Sequence, residues 1–174
     1  APNAGAKLPA DGDVCNYTGA ASFDVNILLD GNQDLTGVWT ETSATASGAF
    51  TAGTGMLVVD GLTARTYKFT YTVTTTGPCE DSEEVTVVVK DALDATFSYG
   101  SAIYCADGTD PTPDAGVLGT LTSTVGLVIN STTGSIDLSA STAGTYTVTN
   151  TLSAGSTSCI DDVKTFDITV NAPN

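Results

Sequence analysis

The 174-residue sequence contains no histidine, a single tryptophan, a single methionine and only 5 lysines and arginines, against 20 aspartates and glutamates. Without histidine, neither a His-based catalytic triad nor a Cys/His zinc site can be assembled. A net charge of −15 repels phosphate backbones and anionic head groups, which argues against nucleic acid and membrane surfaces as partners. No apolar run approaches the roughly 18 residues that a membrane-spanning helix needs, so no membrane insertion is expected. No leader is recognisable, and any targeting segment is expected outside this stretch. Helical periodicity, nucleophile elbows and phosphate-binding glycine loops are missing as well.

What is present is the period-two pattern of strands, in a chain rich in threonine and turn residues. In "SFDVNILL", Phe23, Val25, Ile27 and Leu29 alternate, which predicts one half-buried strand. "TYKFTYTVTTT" does the same through Tyr67, Phe69, Tyr71 and Val73, and "EVTVVV" through Val85, Val87 and Val89. The second half carries matching pieces in the same order: "GTYTVTNTL" with Tyr146 and Val148, then Cys159, then "TFDITV" with Phe166, Ile168 and Val170. Tyr67 precedes Cys79 by 12 residues and Tyr146 precedes Cys159 by 13. We therefore read two related domains, residues 1–91 and 92–174, dividing near "VKDALDA".

Strands separated by Gly, Asp, Asn and Ser turns predict an all-β fold of two tandem immunoglobulin-like antiparallel β-sandwiches. Trp39 is expected in the first core. Tyr67 and Tyr146, each at the start of a strand, are expected to form tyrosine corners. "GLVINSTTGSIDLSAS" in the second half reads as a hairpin around Ser-Thr-Thr-Gly, whereas the first half, with "GMLVVDGLTA", reads as lacking one. Ala1-Pro2-Asn3 recurs as Ala172-Pro173-Asn174, an offset of 171, which makes the domain pair the expected repeat unit.

The run "DATFSYGSAIYCADGTDPTPDAG", followed by "GLVINSTTGSIDLSASTAGTYTVTNT" and a closing "FDITVNAPN", resembles the tandem repeats of giant surface adhesins of the Bacteroidota, of the gliding-motility SprB type. The first half, with "VCNYTGA", "DLTGVWTET", "ARTYKFTYTV" and "PCEDSEEVTV", is similar to a second repeat type of those proteins. The resemblance implies an extracellular, cell-surface filament exported by type IX secretion, in which neighbouring repeats of the same polypeptide are the expected partners; a surface polysaccharide is the partner expected of the alternative, a binding module.

Four cysteines allow three pairings. Each half has one cysteine early and one between its last two strands, which leads us to expect Cys15 bonded to Cys79 and Cys105 bonded to Cys159, one bond inside each domain. Calcium is the ion the acidic clusters could take, and no other cofactor is expected. "DGNQDLTGVWTE" sets Asp30, Asn32, Asp34 and Glu41 at positions 1, 3, 5 and 12 of an EF-hand loop, but Leu35 stands where the turn needs glycine. Further candidates are Asp91 and Asp94 at the division, and Asp107 and Asp110 in "DGTDPTPD". The competing reading at each site is a solvated turn. Catalysis is not expected, because small sandwiches with short turns offer little cleft in which to raise a carboxyl's pKa. The reading is a non-catalytic adhesin segment supplying reach, stiffness and display, with a carbohydrate-binding accessory module as the alternative.

Overall fold

The computed structural model describes residues 1–75, 79–155 and 159–173. It divides into two units. Unit 1 holds residues 1–92 together with Cys159, and unit 2 holds residues 93–155 and 160–173. Each has its own apolar core.

Unit 1 contains β1 (Gly12–Cys15), β2 (Phe23–Asp24), β3 (Val38–Glu41), β4 (Phe50–Thr51), β5 (Met56–Leu57), β6 (Arg65–Thr74) and β7 (Glu80–Lys90). One sheet has the order β1-β7-β6-β3, with β1 parallel to β7, and the other has the order β2-β5-β4. The alternation read from the sequence places Tyr67, Phe69, Tyr71, Val73, Val85, Val87 and Val89 inward, and all are buried. Trp39 is buried too; its ring centroid lies 5.0 Å from that of Tyr71, and its Nε1–H donates to Asn26 Oδ1 at 2.8 Å.

"SFDVNILL" departs from the single strand expected of it. The Asp24 carboxylate accepts from the Asn26 backbone N–H at 2.9 Å and caps a 3-10 turn over Val25–Leu28. An aspartate that bonds the backbone two residues on offers the chain an alternative to the sheet ladder. The buried set becomes Val25, Leu28 and Leu29, and Ile27 is left 59% exposed.

Unit 2 contains β8 (Phe97–Tyr99), β9 (Ile103–Cys105), β10 (Pro113–Gly116), β11 (Thr120–Ser123), β12 (Val128–Ile129), β13 (Ile136–Asp137), β14 (Gly144–Leu152) and β15 (Asp162–Asn171). Its four-stranded sheet, β9-β15-β14-β11, repeats that of unit 1, including the parallel outer pair. Two short pairs, β8 with β10 and β12 with β13, complete it. The tyrosine corners form in both units: Tyr67 Oη donates to the Thr63 carbonyl at 2.9 Å and Tyr146 Oη to the Thr142 carbonyl at 2.6 Å, each four residues upstream.

The hairpin absent from our reading of the first half is there. Phe50 pairs with Leu57, as Ile129 pairs with Ile136, and a shift of 79 positions maps one pair onto the other and Tyr67 onto Tyr146. Gly55 and Gly134, at φ +72° and +71°, close the two turns, each donating its N–H at 2.9 Å to the carbonyl four residues back. Only glycine takes that left-handed conformation cheaply. With two paired residues on each side, β4 and β5 are too short for a period-two pattern to register.

Candidate functional site

The cysteines form one bond, and it is not the expected one. Cys15 is joined to Cys159, with Cα atoms 4.9 Å apart and a sequence separation of 144. This corrects the pairings Cys15–Cys79 and Cys105–Cys159, and the reason is in the sheet register. Cys15 ends β1 opposite Lys90, the last residue of β7, whereas Cys79 immediately precedes Glu80, the first residue of β7. Ten steps of extended chain put these ends about 33 Å apart, far beyond the roughly 7 Å Cα reach of a disulfide. Unit 2 repeats the geometry: Cys105 ends β9 opposite Asn171 at the close of β15, and Cys159 comes just before Asp162 at its start. Each half therefore keeps its two cysteines at opposite poles. The structure bonds the strand-end cysteine of the first half to the turn cysteine of the second, and a bond of this kind suits an oxidising, extracellular setting.

The surroundings of this bond are built from backbone. Both Cys15 Sγ and Cys159 Sγ lie 3.4 Å from the Asp91 carbonyl oxygen. Asn16 fastens the same stretch, donating Nδ2–H to Leu62 O at 2.7 Å and to Asp91 Oδ1 at 3.2 Å while its Oδ1 accepts from Ala92 N–H at 2.8 Å. Cys79 is exposed and free, its carbonyl held by Thr75 Oγ1 at 3.1 Å. Cys105 is half-buried.

The calcium candidates are not brought together: among the described residues no three carboxylates or cysteines cluster. Asp30 and Asp94 serve their own turns, whereas Asp34, Asp91 and Asp110 accept from residues distant along the chain. Asp30 accepts from Asn32 through both backbone and side chain, and the Asn32 side chain is the main reason its carboxyl sits below the usual range. Asp34 accepts from Asn3 N–H at 2.9 Å, and Asp110 from Leu138 N–H at 2.9 Å. Asp91 bonds Asn16, and Asp107 is exposed. Asp94 accepts from Thr96 N–H at 2.9 Å, as Asn3 does from Gly5 N–H at 3.0 Å in unit 1. A neutral asparagine in the same place shows that the position needs an acceptor and not a charge. Melting in millimolar calcium and in chelator is expected to give the same midpoint once ionic strength is matched; a calcium-specific rise would identify these residues as ligands.

Immediately after each of those turns the two units share a clamp that sequence reading missed. Ala4 N–H donates to Asp81 Oδ2, and Ala95 N–H donates to Asp162 Oδ2, both at 2.8 Å, and both alanines are fully buried. The Ala95 bond, with Lys164 adding to it, holds the Asp162 carboxyl below the ordinary range. Such a group stabilises the fold above about pH 4 and loses that contribution as pH falls through its lowered value. A second missed residue is Asn150, fully buried in unit 2. Its Nδ2 donates to Ala95 O at 2.9 Å and to Val117 O at 2.8 Å, and its Oδ1 accepts from Gly119 N–H at 2.8 Å.

Tyr99 supplies a further buried polar bond of unit 2, donating its hydroxyl to the Gly134 carbonyl at 2.6 Å. Burial pushes its pKa up to about 12, with Tyr104 adding to the rise. A phenol raised in the fold contributes stability that is complete below about pH 10 and disappears as pH climbs toward the folded value. Unit 2 is accordingly expected to loosen between about pH 10 and 12, read as tyrosinate absorbance coinciding with loss of β-sheet circular dichroism. Tyr99→Phe should remove that coincidence and, by leaving the Gly134 carbonyl without a donor, cost about 1–3 kcal/mol.

Two shallow grooves are open to solvent. One, of about 210 Å³, is lined in unit 1 by Val14, Tyr17, Phe23 and Val59 among others. The other, of about 350 Å³ in unit 2, includes Asp110 and Asp137. The Ser139 hydroxyl and the Ala140 N–H hold the Asp137 carboxyl below its usual range, the opposite of what a general acid needs.

No protein-family model and no curated protein matches the sequence. Solved structures do match. The chain is similar to Drosophila N-cadherin EC1-4, with 13% identity and a TM-score of 0.49, over 95% of this chain and 48% of that one. It is similar to mouse cadherin-23 EC22-24 (15%, TM-score 0.45, 95% and 64%) and to mouse protocadherin-24 EC1-3 (16%, TM-score 0.45, 91% and 60%). The chain spans about half to two thirds of the length of these segments.

Proposed function

We propose that the chain is a non-catalytic repeat segment of a large filamentous bacterial surface adhesin, supplying reach, stiffness and display. The observation that carries this reading is the duplication: two units with the same order in their four-stranded sheets, the same tyrosine corner, the same hairpin turn and the same alanine–aspartate clamp. A scaffold repeated this closely is what a fibre needs from its segments, each of which must fold around its own core. Support for the bacterial setting and the role in gliding comes from the motifs "GTYTVTNT" and "FDITVNAPN" and their likeness to adhesin repeats. The acidic surface keeps such a fibre soluble and self-repelling.

Antibodies raised against this segment are expected to label intact cells of the source organism, and brief protease treatment of those cells should remove the signal. Antigen found only after lysis would overturn the reading. A glycan array separates it from the carbohydrate-binding alternative: the isolated chain is expected to bind nothing selectively, and strong selective capture of one glycan would favour that alternative.

A further inference from the structure

We infer that Asn130, in the hairpin turn of unit 2, is an acceptor site for an N-linked glycan, and that the fold closes the other acceptor triplet, at Asn16, to the same modification. The inference goes beyond the adhesin reading and does not depend on it.

The sequence holds two Asn-X-Ser/Thr triplets, Asn16-Tyr17-Thr18 and Asn130-Ser131-Thr132. Such a triplet marks an acceptor only where it stands on a reachable surface. The fold separates the two. Asn16 spends its Nδ2 on Leu62 O at 2.7 Å and on Asp91 Oδ1 at 3.2 Å, and its Oδ1 accepts from Ala92 N–H at 2.8 Å. A sugar attached there would take one of those protons and enter the space that the two acceptors occupy. Leaving a half-buried carbonyl such as that of Leu62 unpaired is costly.

Asn130 is arranged the other way round. It directly follows β12, and the turn it opens is closed by Gly134 N–H on Asn130 O at 2.9 Å and by Asn130 N–H on Ser135 O at 2.8 Å. Its side-chain Oδ1 accepts from the Thr132 and Thr133 N–H groups at 3.0 and 2.9 Å. The oxygen of the amide therefore fastens the turn, while Nδ2 has no hydrogen-bond partner among the described residues. Asn130, Ser131 and Thr132 are all exposed, so the whole triplet is open to an enzyme. Asn130 also lines the 350 Å³ groove of unit 2, beside Val128, Ser135, Asp110 and Asp137. This leaves open volume next to the amide for the first sugar, with carboxylates to accept its hydroxyls and Val128 to meet its C–H face. The matching turn of unit 1 has Thr51 in the place of Asn130 and offers no acceptor.

The donor is an oligosaccharide carried on a polyprenyl diphosphate. Nδ2 bonds to the anomeric carbon, the bond from that carbon to the diphosphate oxygen breaks, and the polyprenyl diphosphate leaves. One Nδ2 proton passes to a base of the oligosaccharyltransferase, and nothing is oxidised or reduced.

The test incubates the folded, oxidised chain with an oligosaccharyltransferase and such a donor. One glycan per chain is expected, located by mass spectrometry on the peptide that contains Asn130. Thr132→Ala keeps Asn130 and every backbone bond of its turn, and should abolish the product. Thr18→Ala, which removes the other triplet while leaving the Asn16 bonds in place, should not change the yield. The Asn130 peptide of protein isolated from the source organism should carry a glycan as well. A folded chain that stays unmodified, a glycan on Asn16, product that survives Thr132→Ala, or a bare Asn130 in the isolated protein would each overturn the inference.

Discussion

Replacing Asn150 with leucine is expected to unfold unit 2 at markedly lower denaturant while unit 1 is unaffected. The side chain is fully buried and its amide satisfies three backbone groups at once, the carbonyls of Ala95 and Val117 and the N–H of Gly119. Leucine fills the volume but pairs with none of them. Each orphaned buried group costs about 1–3 kcal/mol, and partial relaxation brings the sum to about 3–5 kcal/mol, a large share of the stability of a small sandwich. Asn150→Asp tests the cause. It keeps the shape but turns a double donor into an acceptor facing two carbonyl oxygens, so it should be at least as damaging at neutral pH and recover in acid as the carboxyl protonates. Trp39 lies in unit 1 and is the only tryptophan, so its fluorescence transition serves as the internal control. A midpoint by circular dichroism that shifts by less than 1 kcal/mol's worth in Asn150→Leu would mean that the three backbone groups have other partners.

Asn150 also shows where sequence reading stops. The run "GTYTVTNTL" was legible as a strand, and its parity places Tyr146, Val148, Asn150 and Leu152 on one face. An asparagine in an inward place is the signal for a buried polar fastening, but parity does not say which groups it meets, because Ala95 and Val117 are 55 and 33 residues away. In unit 1 the matching inward position is Tyr71, whose hydroxyl donates to the Asp34 carbonyl at 2.7 Å. Local pattern was enough for the long strands, the second-half hairpin and both tyrosine corners, which depend on residues within a few places of one another. It failed for "SFDVNILL", where one capping aspartate outweighs alternation, and for the four-residue hairpin around Thr51–Gly55.

The cysteine pairing failed for a different reason. Order along the chain says which cysteine comes early and which comes late, but not at which pole of the sheet each stands. That depends on β1 running parallel to β7, a pairing between residues about 75 apart. An early strand antiparallel to β7 would have brought the first cysteine to the pole where Cys79 lies. Parallel pairing at this edge sends it to the other, and the bond must then go elsewhere.

Pulling the oxidised chain from its two ends should reveal that choice directly. The Cys15–Cys159 bond removes a separation of 144 residues from the force path, hiding about 500 Å of contour at roughly 3.5 Å per extended residue. Only the segments outside the bond can then extend, about 100 Å, against about 600 Å for the reduced chain. The intradomain pairs expected from sequence would enclose separations of 64 and 54 residues, hide about 400 Å and leave about 200 Å, so the three states are separable by length alone. Under load the difference matters for a fibre: a bond inside each sandwich limits how far that sandwich unravels, whereas the Cys15–Cys159 bond takes the whole stretch of chain between its cysteines out of the force path. Cys15→Ser is expected to restore the full extension even without reductant. If the wild-type chain already extends by about 600 Å under oxidising conditions, the bond does not bear the load.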